Sequence, residues 1–378
     1  MRPYWHNLFR RLQGDREAGP PPHPLAIIAA ILLARLYGPG ARLRRALYAR
    51  GIFRAKRLPA PVVSVGNLTA GGTGKTPVVA CLARRWRDRG RRVAILSRGY
   101  GGQTRGVVCL SDGQRLYHRP PEVGEEPYWL ARTLPGVAVF TGACRYAAGL
   151  AAWEQVKPDI FLLDDGFQHL QLHRDLNLVL LDANSPFGNG CLLPRGPLRE
   201  PLAALNAAHA IILTRFDPAR HTALRTDMAQ GFPRQPVLTA EIAPVAVTSY
   251  PGGHPEPPAA MRHRPLVAFA GLARPEVFLH TLQALGADLK SLHVFPDHHA
   301  YTPGELRSLA EAARVLGAGA LVTTGKDWAR LGEQWDEDVL LWVLEVEARL
   351  SDPEGVLERL EQDLPGPPPT AAAKNALQ

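Results

Sequence analysis

From Pro61 onward the hydrophobic residues fall in short unbroken runs rather than in alternation. Pro61–Val65, Val93–Leu96, Ile160–Leu163, Leu178–Leu181 and Ala210–Leu213 each end on polar residues or Gly. Uniform apolar runs of this length predict strands buried on both faces, as parallel sheets require. Helical patterns lie between several of them, so the order reads as a doubly wound α/β domain. Around 216–262 the texture becomes Pro- and Gly-rich, most clearly in Pro251-Gly-Gly-His-Pro-Glu-Pro-Pro258. A second series then begins, with Leu266–Phe269, Leu292–Phe295, Ala320–Thr323 and Leu340–Val343. The expected division is a core domain over 59–215, a hinge over 216–262, a smaller α/β domain over 263–364 and a disordered tail over 365–378.

The N-terminal segment, 1–58, has a different pattern. A stiff break over Ala18–Pro24 precedes ten apolar residues, Leu25–Ala34. Arg42, Arg44, Arg45, Arg50, Arg54, Lys56 and Arg57 then alternate with Leu43, Leu47, Tyr48, Ile52 and Phe53. A ten-residue run is too short to span a bilayer but suits an amphipathic helix lying in the interface with Arg at the headgroups. Each basic residue near an anionic surface contributes about 1 kcal/mol. The alternative is an ordinary helix packed on the domain with solvated Arg on its outer face.

Composition narrows the function classes. Hydrophobic residues at 46% exclude global disorder, and the net charge of +9 favours an anionic partner. Only six of the 44 basic residues are Lys, so a Lys inside a motif is informative. The four Cys (Cys81, Cys109, Cys144, Cys191) are scattered and lack C-x-x-C spacing, which argues against a disulfide framework or a structural zinc site. No cleavable signal sequence is evident at the N-terminus, and the expected compartment is the cytoplasm. A nucleic-acid-binding reading has charge alone in its favour, with no motif or aromatic–basic platform.

The strongest chemical signal follows the first buried run: Thr69-Ala-Gly-Gly-Thr-Gly-Lys-Thr76. In a strand–loop–helix setting, Gly71, Gly72 and Gly74 let the backbone N–H groups turn towards a phosphate. Lys75 would reach the β- and γ-phosphates of ATP, and the Thr76 hydroxyl would ligate Mg2+. The pattern departs from the standard P-loop in having Thr69 where the first Gly belongs. The run Ile160–Leu163 ends in Asp164 and Asp165, acids placed at a strand end as Mg2+ ligation requires. An Asp there can equally cap the next helix. His173-Arg-Asp-Leu176 is a false match to the protein-kinase catalytic loop, because Leu180 stands where Asn is needed. His169 and His173 share a helical spacing but lack a neighbouring Glu for a metal motif.

Taken together, these stretches resemble the tetraacyldisaccharide 4'-kinase (lipid A 4'-kinase) family, in order from about residue 25 to about 331. The resemblance rests on the P-loop variant with Thr69, Leu96-Ser-Arg-Gly-Tyr-Gly101, Asp164-Asp-Gly-Phe-Gln-His169, Phe187-Gly-Asn-Gly190, Leu198-Arg-Glu-Pro201, Phe269-Ala-Gly-Leu-Ala-Arg-Pro275, Asp297-His298 and Thr324-Gly-Lys-Asp327. It implies a P-loop domain with a smaller α/β lid and transfer of the ATP γ-phosphate to the 4'-hydroxyl of a tetraacylated glucosamine disaccharide 1-phosphate. It also implies a peripheral location at the cytoplasmic face of a Gram-negative inner membrane, where lipid A is made. Glu125, paired with His298, is implied as the base, although the family usually carries Asp at that position. Lys75 and Asp165 complete the implied catalytic set, Thr76, Asp164 and Asp165 the metal set, and Gln168, Arg199 and Glu200 are candidates for positioning phosphate or metal. A rival reading is a membrane-associated P-loop ATPase acting as a regulatory or partitioning switch, with no small-molecule acceptor.

Overall fold

A computed structural model describes residues 23–120, 122–331 and 335–366. The first part of the N-terminal segment, 1–22, and most of the expected tail, 367–378, lie outside them. Helix α1 (Pro24–Ala49) comes first, followed by β1 (Val62–Asn67), α2 (Lys75–Asp88), β2 (Val93–Ser97) and β3 (Val108–Ser111). Next are α3 (Glu125–Thr133), β4 (Ala138–Thr141), α4 (Arg145–Val156), β5 (Ile160–Asp164), β6 (Leu176–Asp182) and β7 (Ala210–Thr214). The chain continues with α5 (Pro218–Gly231), β8 (Val237–Tyr250), β9 (Pro255–Glu256), β10 (Pro265–Ala270) and α6 (Pro275–Ala284). It ends with β11 (Asp288–Val294), α7 (Pro303–Val315), β12 (Ala320–Thr324), α8 (Gly325–Leu331), β13 (Leu341–Ser351) and α9 (Val356–Gln362).

The described strands form one sheet, ordered β11-β10-β12-β13-β8-β7-β6-β1-β5-β2-β4-β3, with β9 paired to β8. From β4 to β8 neighbouring strands are parallel, and β3 closes one edge antiparallel. Every residue of β1, β2, β5, β6 and β7 is buried, because helices cover both faces. Val78, Leu82 and Trp86 of α2 pack on one face with Leu130 of α3 and Leu357 of α9. On the other face, Ala148 and Ala152 of α4 cover β2, β4 and β5, while Met228 of α5 packs beside β6 and β7. The smaller lobe repeats this arrangement, with α6 on one face and α7 and α8 on the other.

One antiparallel pair joins the two lobes. β8 pairs with β7 over Val237–Ala240 and with β13 from Thr239 to Tyr250, so β13, β12, β10 and β11 run opposite to the core strands. The carboxyl ends of both strand sets therefore face each other across a cleft. A bulge interrupts the pair between Glu345 and Val346, where Pro244 offers no N–H to the ladder.

The stretch expected as a hinge, 216–262, thus carries α5 and β8 and is continuous with the sheet. The chain also returns to the core. Ala348 of β13 and Val356 and Leu357 of α9 join the core cluster, and Arg85 holds Glu361 at 2.9 Å. The second domain therefore does not extend to 364.

Helix α1 is longer than its ten-residue apolar run. Its 26 residues are long and apolar enough to cross a bilayer by length and composition. Leu25, Ile28, Leu32, Leu33 and Leu36 are each more than half exposed, and Ala30 and Gly38 are its buried positions. Its second half rests on the core: Tyr37 donates to the Arg199 carbonyl at 2.7 Å, Arg44 donates to the Gln168 carbonyl at 3.2 Å, and Arg45 pairs with Glu200.

Candidate active site

The phosphate loop is shaped by tethers on its carbonyls. Asn67 Nδ2 donates to the Gly71 carbonyl at 3.3 Å, Arg215 to that of Gly72 at 3.1 Å, and Thr214 Oγ1 to that of Thr73 at 2.8 Å. In a trans peptide the next N–H points the opposite way, so the amides of Gly72, Thr73 and Gly74 turn to the other side together. Gly71 (φ 112°) and Gly74 (φ 74°) adopt the left-handed conformations this path needs. Gly74 is the N-cap of α2, which places Lys75 and Thr76 in its first turn. Ala70, part of the expected Thr69–Thr76 phosphate loop, donates its N–H to the Pro197 carbonyl at 2.6 Å instead, so the amides of the cradle are those of residues 72–74. Thr69 is buried in a short bridge to Leu198 that binds the same two loops.

The acids at the end of β5 diverge. Asp164 is buried and accepts from Ser97 Oγ at 3.3 Å, while its Oδ1 has no hydrogen-bond partner. Burial, then the neighbouring Glu126 and Asp165 charges, pushes its carboxyl well above the usual range. Asp165 is in a left-handed conformation (φ 55°), uncommon outside Gly but tolerated by Asp. It lies 3.7 Å from Lys75 Nζ and receives Arg199 Nη1 at 2.9 Å. Burial raises its carboxyl, but Lys75 and Arg199 outweigh that and hold it below the usual range.

Two further acids approach from α3. Glu125 Oε2 contacts His298 Nδ1 at 3.0 Å and Arg330 Nε at 2.7 Å, both from the smaller lobe. His298 sits in a left-handed conformation (φ 61°) that brings its ring to this carboxylate. The Glu125 hydrogen bond outweighs burial and raises the His298 pKa. Glu126 pairs with Lys326 of the smaller lobe, and its Oε1 accepts from Thr76 Oγ1 at 3.4 Å. The Lys326 charge, against the cost of burial, holds its carboxyl below the usual range.

The structure thus brings together Lys75, Thr76, Asp164, Asp165, Glu125 and His298, drawn from both carboxyl edges of the sheet. Gln168 and Arg199 lie one layer back. Arg199 contacts Asp165, and Gln168 accepts from Arg199 at 3.5 Å while donating to the Asn67 carbonyl at 2.9 Å. Glu200 does not face this cluster. It is buried beneath α1, paired with Arg45, because the loop after Leu198 turns towards that helix. Sequence reasoning missed Lys326 and Arg330, and it missed a positive region around His169. Burial and the nearby Arg145, Arg174, Arg44 and Arg98 lower the His169 pKa to about 4. Arg145 is itself buried with its Nε unpartnered.

The residues fit a Mg2+ ion on the chemistry of the donor set. Among the described residues no three His, Cys, Asp or Glu side chains enclose a metal by themselves. Mg2+ beside a nucleotide needs only one or two carboxylates, with phosphates and water completing the shell. The orphaned Asp164 oxygen belongs to a carboxyl raised in pKa by burial and then by two neighbouring carboxylates, a position where a cation relieves repulsion.

Comparison with known proteins decides the family. The profile of the Tetraacyldisaccharide-1-P 4'-kinase family matches residues 27–365. The chain belongs to this family. The tetraacyldisaccharide 4'-kinase of Geobacter metallireducens is 44% identical over 330 residues, covering 87% of this chain and 95% of that one. That of Geobacter sulfurreducens is 43% identical, covering 92% and 96%. Among solved structures, LpxK from Aquifex aeolicus in complex with ATP superposes with a TM-score of 0.71 at 32% identity, covering 88% of this chain and 99% of that one. As a member of the tetraacyldisaccharide 4'-kinase family, this chain is a kinase of lipid A biosynthesis that phosphorylates the 4'-hydroxyl of the disaccharide. The reading as a partitioning switch is not favoured.

Proposed function

We propose that ATP binds with its triphosphate on the amides of residues 72–74 and that Lys75 spreads the charge developing on the γ-phosphoryl group. Thr76 and Asp164, with Glu126 beside them, would hold Mg2+, which supplies further charge neutralisation on the phosphates. Asp165 fixes Lys75 in place and is fixed by Arg199, itself braced by Gln168. Glu125 accepts the proton of the 4'-hydroxyl as its oxygen bonds the γ-phosphorus and ADP leaves, and His298 orients Glu125. Phosphoryl transfer asks a protein mainly for positioning and charge neutralisation, and these groups supply both. The observation that carries this reading is the convergence of the Lys75 loop and the Glu125–His298 pair on one cleft, from lobes whose strand ends face each other. With labelled ATP, label is expected in the lipid disaccharide 1-phosphate. Mg2+-dependent ATP hydrolysis that ignores the acceptor would overturn the reading.

Helix α1 would hold the enzyme at the cytoplasmic face of the inner membrane, its exposed leucines in the acyl boundary. The cations around His169, on the same side as Arg44, suit the anionic headgroup of the substrate. Glu200 and Tyr37 then anchor α1 to the core instead of meeting phosphate. A triple change, Leu32→Gln, Leu33→Gln and Leu36→Gln, alters exposed positions only. At about 1.5–3 kcal/mol per buried leucine, it is expected to weaken binding to anionic vesicles by at least about a hundredfold with little change in Tm. Unchanged vesicle co-sedimentation would refute the anchoring role.

A further inference from the structure

The Thr324-Gly-Lys-Asp327 stretch has no part in the mechanism above, yet it opens α8, whose Lys326 and Arg330 cross to Glu126 and Glu125 of the core. Asp327 is fully buried and acts as a hub. Its Oδ1 accepts from the Gly271 N–H at 2.9 Å, from Tyr301 Oη at 2.9 Å and from Arg330 at 2.8 Å, and its Oδ2 accepts from Thr324 Oγ1 at 2.7 Å. Arg330 Nη1 also donates to the Gly271 carbonyl at 2.6 Å. A Cβ at Gly271 would lie 2.8 Å from that same nitrogen, so the Gly of the Phe269-Ala-Gly271 stretch leaves room for the guanidinium. The Arg330 side chain is only 3% exposed and is therefore held in one orientation. Its remaining edge, Nε, crosses to the core and meets Glu125 Oε2 at 2.7 Å.

We propose that Arg330 is the positioning residue for the Glu125 carboxylate, fixing it from the small-lobe side while His298 fixes it from the loop after β11. A planar guanidinium locked by two hydrogen bonds, to Asp327 and to the Gly271 carbonyl, holds its charge at a fixed place beside the carboxylate, which a lone flexible Lys does not. The inference rests on the reading of Glu125 as the group that accepts the hydroxyl proton. The other charged and titratable groups around Glu125 are Glu126 on α3, Lys326 and Asp327 on α8, Asp297 beside His298, and Tyr301. Tyr100 packs near the His298 ring. Asp297 lies 3.9 Å from Arg330 Nη2, too far to displace Glu125. Burial raises the Glu125 carboxyl, and the His298 hydrogen bond together with the Arg330 charge outweighs it, holding the group below its usual range.

The test uses the full chain with ATP and the lipid disaccharide acceptor. Arg330→Gln is expected to lower kcat at least about tenfold with KM for ATP within about threefold. Arg330→Lys keeps the charge and is expected to recover part of that kcat, with KM for ATP again unchanged. A KM for ATP that rises in step with the kcat loss, or an Arg330→Lys no better than Arg330→Gln, would overturn the proposal, because a merely structural defect disturbs both parameters and is not relieved by the charge. If Arg330→Gln does not fold, Arg330→Gln with Asp327→Asn removes both buried charges, and it must show the same split between kcat and KM. Glu125→Gln separates the two claims: activity surviving that change sinks the proton-acceptor reading, whereas a dead Glu125→Gln beside a fully active Arg330→Gln sinks only the role of Arg330.

Discussion

Replacing Lys75 with Ala is expected to lower kcat by at least about a thousandfold while leaving the fold intact. One preorganised donor aimed at developing charge is worth about 10²–10³ in rate, and Lys75 adds a full charge at the first turn of a helix. The fold survives because Lys75 is not a packing residue: its ammonium lies 3.7 Å from Asp165, and Asp165 keeps Arg199 at 2.9 Å. The pH dependence of stability provides a second readout. Lys75 lowers the pKa values of Asp164, Asp165 and Glu126, so its removal raises all three above their wild-type folded values. Asp165 and Glu126 start below the usual range, so their share of the loss is already present at pH 5, whereas Asp164 starts at about 7 and its share appears as pH rises through that value. The variant should therefore lose more Tm relative to wild type at pH 8 than at pH 5, by thermal melts. Near-wild-type phosphate transfer by Lys75→Ala would remove the phosphate loop from the mechanism.

The parts of this site that were legible in the chain are those whose chemistry is contiguous. The strand, the glycines, Lys75 and Thr76 follow one another, and their tethers change only where the cradle begins. Asp164 and Asp165 could be placed because an apolar run ending in acids locates a strand end. The Glu125–His298 pair was different: its partners are 173 positions apart, and only the resemblance joined them. Lys326 and Arg330 were hidden because α8 spans seven residues and shows too little periodicity to reveal its inward face. β8 escaped notice for a related reason. Glu241, Pro244, Thr248 and Ser249 break its apolar pattern, since it bridges the lobes half-buried instead of lying inside one of them. That strand carries the architectural consequence, reversing strand direction so that two carboxyl edges confront each other. The role of Glu200 could not be read from its own motif, because it is decided by Arg45, 155 residues earlier.

Glu125→Gln is the second large expected effect, and it tests the mechanism at the acceptor instead of the donor. Gln fills nearly the same space and can still accept from His298 and Arg330, so the cleft geometry holds, but it cannot take a proton. General-base contributions are about 10²–10⁴ in rate, and a loss of about 10³ in kcat is expected with KM for ATP nearly unchanged. Glu125→Asp shortens the reach by one methylene while keeping the charge. Because His298 lies on a loop and approaches the same Oε2, it can follow the shorter side chain, and Glu125→Asp should retain activity within about tenfold of wild type. Arg330, locked by Asp327 and Gly271, cannot follow, so part of its hold is lost in that variant. The kcat of Glu125→Asp should then depend less on Arg330 than that of wild type. A double-variant comparison of kcat values measures this directly, and equal Arg330 effects in both backgrounds would mean the guanidinium does not act through this carboxylate.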